Sequence, residues 1–193
     1  NDILDTYQDD FSLYLKRVSP VLLRQVLRSV ALQAGTKFVY TIASKDVRSA
    51  LVKDALHLLT LAGLIVPVKH ASANGVPLGA EENDNYVKYL FFDLGVMQTM
   101  LGNPPSDTLL ASEVDFVNKG AASEMFAGLE LLKYHDCFQK AEMHYWQNTA
   151  KNALSEVDYL IAKNGKVLPI EVKASTQGSM QSLWVFMRKH RIH

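Results

Sequence analysis

The chain has 193 residues, enough for one large or two small domains, and 48% hydrophobic with 21% charged residues is the balance of a globular protein with material for real cores. Lys+Arg and Asp+Glu both total 20, so the formal net charge is zero; there is no global electrostatic case for nucleic-acid binding, and any basic surface has to be local. The single cysteine, Cys137, excludes an intrachain disulfide framework and a cysteine-rich zinc site, and fits a reducing, cytoplasmic setting. No run approaches 18 or so uninterrupted apolar residues and no signal pattern opens the chain, so no membrane partner is expected. Starting at Asn1 without a methionine and stopping at His193 in a helix-like stretch, the chain reads as a fragment of something longer.

In chain order, residues 2–17 carry Ile3, Leu4, Tyr7, Phe11, Tyr14 and Leu15 near helical spacing. Ser19-Pro20 predicts a helix start, with serine as cap and proline in the first turn, and Leu22, Leu23, Val26, Leu27, Val30 and Ala31 line one side of a helix over 21–34 that Gly35 ends. Residues 38–42, short, β-branched and aromatic, predict a strand. Ser44 then caps a helix over 45–62, with Val47, Leu51, Ala55, Leu58, Leu59 and Ala62 as its core stripe. Strands over 64–69 and 86–92, joined by a polar loop over 76–85, form a ribbon, and Asp93 caps a short helix over 94–101. Helices followed by a two-stranded ribbon suggest a winged-helix arrangement. Its recognition helix would be 45–62, whose exposed face offers Lys45, Arg48, Lys53 and His57 but also Asp46 and Asp54. The alternative is a helical module that packs against a neighbouring domain.

Residues 102–107 (Gly-Asn-Pro-Pro-Ser-Asp) are a breaker cluster and set the domain boundary, giving a helical winged-helix-like domain over 1–101 and a second domain over 102–193. The second domain opens with a helical pattern over 113–134. Glu124 lies at the centre of its apolar stripe between the small residues Ala121 and Gly128, and a buried carboxylate needs a partner or a metal. A strand over 142–146 follows, and residues 180–191 close the chain as a helix with Leu183, Phe186, Met187 and His190 on one side. The six histidines are scattered with no metal-ligand pair on a shared helix face, and Cys137 reads as a small buried hydrophobe.

Between them lies the stretch on which the second domain is organised. Two alternating runs, 156–163 and 166–174, flank Asn164-Gly165, a strong hairpin signal. A two-residue turn sets Lys163 across from Lys166, Asp158 across from Glu171 and Glu156 across from Lys173. Alternation sends these four polar residues to one face and Val157, Tyr159, Ile161, Leu168, Ile170 and Val172 to a core face. Directly opposed acids repel unless a cation sits between them, and a divalent metal meets that need. A solvated hairpin face with loosely paired charges is the other reading of the same residues.

Helix acid, strand aspartate and Glu171-Val172-Lys173, in the order helix, three strands, helix, resemble the PD-(D/E)XK nuclease superfamily, with Val157 where the motif's proline usually stands. The Tyr7–Ser12 stretch, Tyr40-Thr41-Ile42-Ala43, Pro77-Leu78-Gly79, Phe91-Phe92-Asp93-Leu94-Gly95 and Tyr145-Trp146 together resemble the C-terminal region of predicted AAA-type ATPases, a domain of unknown function (number 4143). The resemblance implies an α+β chain: a restriction-endonuclease-like core of helix, three-stranded sheet and helix, lacking the superfamily's last strand, after the winged-helix-like domain. It implies a metal-dependent phosphodiesterase in which Asp158, Glu171 and Glu124 bind Mg²⁺ or Mn²⁺ and Lys173 activates water. It also implies an upstream P-loop ATPase domain as partner. This chain has no Gly-x-x-x-x-Gly-Lys-Ser/Thr run, so ATP would bind only there. Two other readings stay open: a catalytically inactive docking or substrate-recognition module for the ATPase, and DNA binding by the winged helix.

Overall fold

A computed structural model describes residues 18–103, 119–135, 141–148, 150, 155–174 and 179–191. The helix expected over 2–17, residues 104–107 of the breaker cluster and Cys137 lie outside these. The described residues form an α+β protein with six α-helices and one five-stranded mixed sheet. Contacts group them into two compact units, 1–66 with 89–117 and 67–88 with 118–193, so the chain passes between units more than once.

The first unit holds α1 (Pro20–Leu32), α2 (Tyr40–Ala43), α3 (Ser49–Leu61) and α4 (Leu94–Met100). The Ser19 hydroxyl accepts a hydrogen bond from Leu22 N–H at 3.2 Å, and Asp93 accepts one from Val96 N–H at 2.8 Å, so both expected caps hold α1 and α4. Leu22, Leu23, Val26, Leu27 and Val30 of α1 are buried, and α1 packs on α3. On α3 the buried side is Val52, Ala55, Leu56 and Leu59, while Leu51 is 36% exposed. The helix begins at Ser49 rather than at Lys45 and buries a face turned one residue from the expected stripe. The strand expected over 38–42 is instead the single helical turn α2. The Gln33 side chain explains the difference. Its oxygen accepts from Val39 N–H at 2.7 Å and its amide donates to the Val39 carbonyl at 3.3 Å, so Val39 needs no neighbouring strand to satisfy its backbone.

The sheet runs β2-β1-β3-β4-β5, from β1 (Ile65–Ala71), β2 (Glu82–Phe91), β3 (Met143–Gln147), β4 (Glu156–Lys163) and β5 (Lys166–Ile170). The expected three-stranded sheet is therefore extended by the ribbon. The tie is a parallel pairing of β1 with β3, with His70 beside Tyr145. β4 and β5 form the anticipated hairpin, Lys163 opposite Lys166, with Asn164 (φ 52°) and Gly165 (φ 73°) both in the left-handed region that a tight primed turn requires.

The expected single core face of the hairpin is not observed. Leu160 and Val167 are buried and Leu168 is 41% exposed. Two things cause this. The central strands are covered on both sides: Trp146, Val157, Leu160 and Val167 bury with Phe186 of α6 (Gln181–His190), while the Tyr159 hydroxyl donates to the Glu124 carbonyl of α5 (Lys119–Lys133) at 2.7 Å. The β3–β4 register also shifts: His144 pairs with Leu160 but Trp146 with Val157. Two residues of β3 thus span three of β4, which is a bulge in β4 at Asp158-Tyr159.

Candidate functional site

The bulge decides which side chains meet. Strict alternation would put Glu156 and Tyr159 on opposite faces. With one extra residue between them both reach α5, where Tyr159 bonds the Glu124 backbone and Glu156 pairs with the same lysine as Glu124. That lysine is Lys88 of β2, 3% exposed, with its Nζ 2.9 Å from Glu124 Oε1, in an ion pair with Glu156 Oε1, and 5.0 Å from the Tyr145 ring centre. Asp158 completes the group: Glu124, Glu156 and Asp158 each offer a carboxylate oxygen within 4.8 Å of the others.

Beyond Tyr159 and Ile170 the β4–β5 ladder ends, and the side chain of Asp158 replaces it: its Oδ2 accepts from Val172 N–H at 2.7 Å. This fixes where Glu171 leaves the sheet. The Glu171 side chain is 5% exposed, Oε1 pairs with Lys173, and Oε2 is buried with no hydrogen-bond partner among the described residues. The structure thus brings Glu124 and Asp158 together. Glu171 lies outside their mutual 4.8 Å group but is close enough to feel Asp158 and Glu156 as repulsive charges. Lys173 joins Glu171 and does not pair with Glu156, the residue expected opposite it.

Burial dominates the electrostatics, the lysines oppose it, and mutual repulsion adds a smaller push. Burial pushes the Glu124 carboxyl up to about 7; Lys88 opposes the shift and Asp158 adds to it. Glu156 and Glu171 move the same way for the same first reason. Lys88 is pulled down by burial, yet Glu124 and Glu156 more than compensate and hold it above the ordinary lysine value. One buried ammonium is shared by more negative charge than it can neutralise, so the carboxyls keep protons that exposed ones would lose.

Oxygen donors alone make up the set, which suits a hard divalent cation, and the orphaned Glu171 Oε2 is a buried lone-pair donor still without a partner. A second group, Glu82, Glu142 and His144, also has ligand atoms within 4.8 Å. There Glu82 already holds Lys69 at 2.5 Å and His144 Nε2 at 2.8 Å.

Sequence reasoning missed Lys88 and Glu156 as members of the site. A lone lysine inside the aromatic strand Tyr86-Val87-Lys88-Tyr89-Leu90-Phe91 was the available signal, since a lysine there is either exposed or paired. The winged-helix candidates Lys45, Arg48, Lys53 and His57 belong to the first unit.

The described residues thus define a mixed α+β protein with a half-buried acidic cluster between a bulged strand and a helix. By family, residues 1–107 match the model described as domain of unknown function DUF8612, and the chain belongs to that family. Residues 119–193 match a second model, domain of unknown function DUF4143. No curated protein and no solved structure matches the chain. Among the described residues, no helix is long and apolar enough to cross a membrane.

Proposed function

We propose that the second unit is a PD-(D/E)XK-type core of the restriction-endonuclease-like fold that hydrolyses phosphodiester bonds with Mg²⁺ or Mn²⁺, and that the chain is the C-terminal region of an AAA-type ATPase. The observation that carries this reading is the convergence of an α5 acid, Glu124, with the β4 acid Asp158, beside a Glu171 whose second oxygen is buried without a partner. Bound to such a carboxylate set, the metal ion supplies Lewis-acid polarisation of the phosphodiester and charge for the leaving oxygen. The remaining work falls to the chain. Asp158, steadied by Val172 N–H, and Glu171 present the ligand oxygens, with Glu124 as a further ligand or supporting group. The Lys173 ammonium, held beside Glu171, orients the attacking water and stabilises the developing phosphoryl charge. In the first unit, α3 as a recognition helix would add DNA contacts.

The test is cleavage of plasmid and branched DNA by the full-length protein in Mg²⁺ or Mn²⁺. Asp158→Ala and Lys173→Ala are each expected to lower the rate by ~100-fold or more, and chelation to abolish it. Cleavage that survives both substitutions overturns the assignment.

A second reading is favoured by Lys88, a cation already built into the cluster, and by the chain's zero net charge. It makes the unit an inactive nuclease-like docking or substrate-recognition module for the ATPase. Calorimetry separates the two: Mg²⁺ or Mn²⁺ binding that disappears in Asp158→Ala supports the enzyme, and no such binding leaves the docking module.

A further inference from the structure

Resting on the metal-dependent reading above, we infer that Lys88 holds the place of a second cation, so that the site takes one divalent ion on its Asp158–Glu171 side while Glu124 and Glu156 are committed to the lysine. Three observations carry this.

The first is position. Lys88 Nζ lies 2.9 Å from Glu124 Oε1 and is ion-paired with Glu156 Oε1, and only 3% of its side chain is exposed. In two-metal sites the ions sit about 3.5–4 Å apart with carboxylates between them. Within a trio of oxygens that all fall inside 4.8 Å, an ion on Glu124 and Glu156 would meet the ammonium head-on. Lys88 reaches the trio from a strand 36 residues upstream of Glu124, so it is a built part of the site and not a wandering surface charge.

The second is charge. With all four carboxyls ionised, as metal binding requires, Glu124, Glu156, Asp158 and Glu171 face two ammonium groups, Lys88 and Lys173. Two negative charges remain, which one divalent ion balances and two would overshoot in a buried setting where unbalanced charge is costly.

The third is open coordination. Asp158 spends one oxygen on Val172 N–H, and Glu171 Oε2 is buried, unpartnered and near enough to Asp158 and Glu156 to be repelled by them. The Glu171 side chain is 5% exposed, so this oxygen is not waiting for bulk water. The donors that Lys88 leaves unclaimed are therefore the remaining Asp158 oxygen and Glu171 Oε2. Lys88 is a positioning residue here: it holds Glu124 and Glu156 together and narrows the site to a single ion.

The experiment is a Mn²⁺ titration of the full chain, counting bound ions by calorimetry and by the electron paramagnetic resonance of free Mn²⁺, with thermal unfolding of each variant as a fold control. One ion per chain is expected. Asp158→Asn and Glu171→Gln should each weaken it by ~10-fold or more, while Glu124→Gln shifts the affinity by less than either. Lys88→Arg should keep the count at one, and Lys88→Met, where folded, should raise it to two. Two ions in the wild type, or a loss in Glu124→Gln as large as in Asp158→Asn, overturns the inference and leaves the metal-dependent reading standing. No bound Mn²⁺ at all removes both.

Discussion

Two groups of acids in the second unit, each built around one lysine, behave in opposite ways. Around Lys69, whose side chain is 38% exposed, Glu82 sits below the ordinary carboxylate range: burial pushes it up, but hydrogen bonds from Lys69 and His144 win. Around Lys88, 3% exposed, Glu124 and Glu156 both move up, because burial outweighs the cation present. The same residue types at similar distances give an ordinary ion pair in one place and a charge deficit in the other. The depth of the lysine decides between them. Glu82, Glu124 and Glu156 are all half-buried, but Lys69 stays in contact with water and Lys88 does not. Around Lys88 only protons or another cation therefore make up the balance.

The largest test of this comparison removes each lysine. Lys88→Met strands two buried carboxylates and is expected to cost about 3–5 kcal/mol, against about 1 kcal/mol or less for Lys69→Met in its solvated pair. Urea unfolding of the two variants reads the difference directly, and equal losses would erase the contrast.

Next comes pH, where the two groups have opposite signs. Glu124 has a folded-state value of about 7, above the ordinary 4.5, so the folded chain holds a proton that the unfolded chain releases. Its contribution to stability is greatest below about 4.5, falls as pH rises to about 7, and is level above that. The full swing is on the order of 3 kcal/mol, and it should vanish in Glu124→Gln. Glu82, lowered, contributes stability that is present above 4.5 and lost as pH falls through its folded value. Urea melts of wild type, Glu124→Gln and Glu82→Gln between pH 4 and pH 8 check both signs; parallel profiles for the two variants would break the comparison.

The smallest effect concerns anchoring. Tyr159→Phe loses the 2.7 Å hydrogen bond to the Glu124 carbonyl and should cost about 1 kcal/mol, whereas Glu142→Gln, at an exposed position, should stay within about 0.5 kcal/mol. A thermal melt of each suffices. A larger loss in Glu142→Gln would show that the exposed group is not merely solvated.

Local signals in the sequence were readable where one short-range interaction decides the outcome. The Ser19 and Asp93 caps and the Asn164-Gly165 turn are of this kind, and each is present. The hairpin register followed from the turn by counting. Reading went astray where a distant group intervenes. Gln33 claims the backbone of Val39 and cancels a strand that propensity alone favours. Alternation set Glu156 beside Asp158, as the structure does, but a bulge in β4 breaks the two-residue period, so Tyr159 could not be assigned to the same side. Glu124 was singled out because an acid on an apolar stripe asks for a partner. Its partner Lys88 could not be named, because only the pairing of β1 with β3 brings the ribbon into the sheet.

The interleaving of the two units has a practical consequence for anyone working with pieces of this chain. The residues matched at 119–193 contain every carboxylate of the buried cluster, but not Lys88, β1 or β2. A fragment cut in the 102–118 region would carry the acids without their counterion and leave one side of β3 without its parallel neighbour. During synthesis the order is reversed: the lysine emerges first and waits for its acids. His70 likewise waits for the Gln147 carbonyl 77 residues later, so this part of the protein is completed only when its last strands arrive.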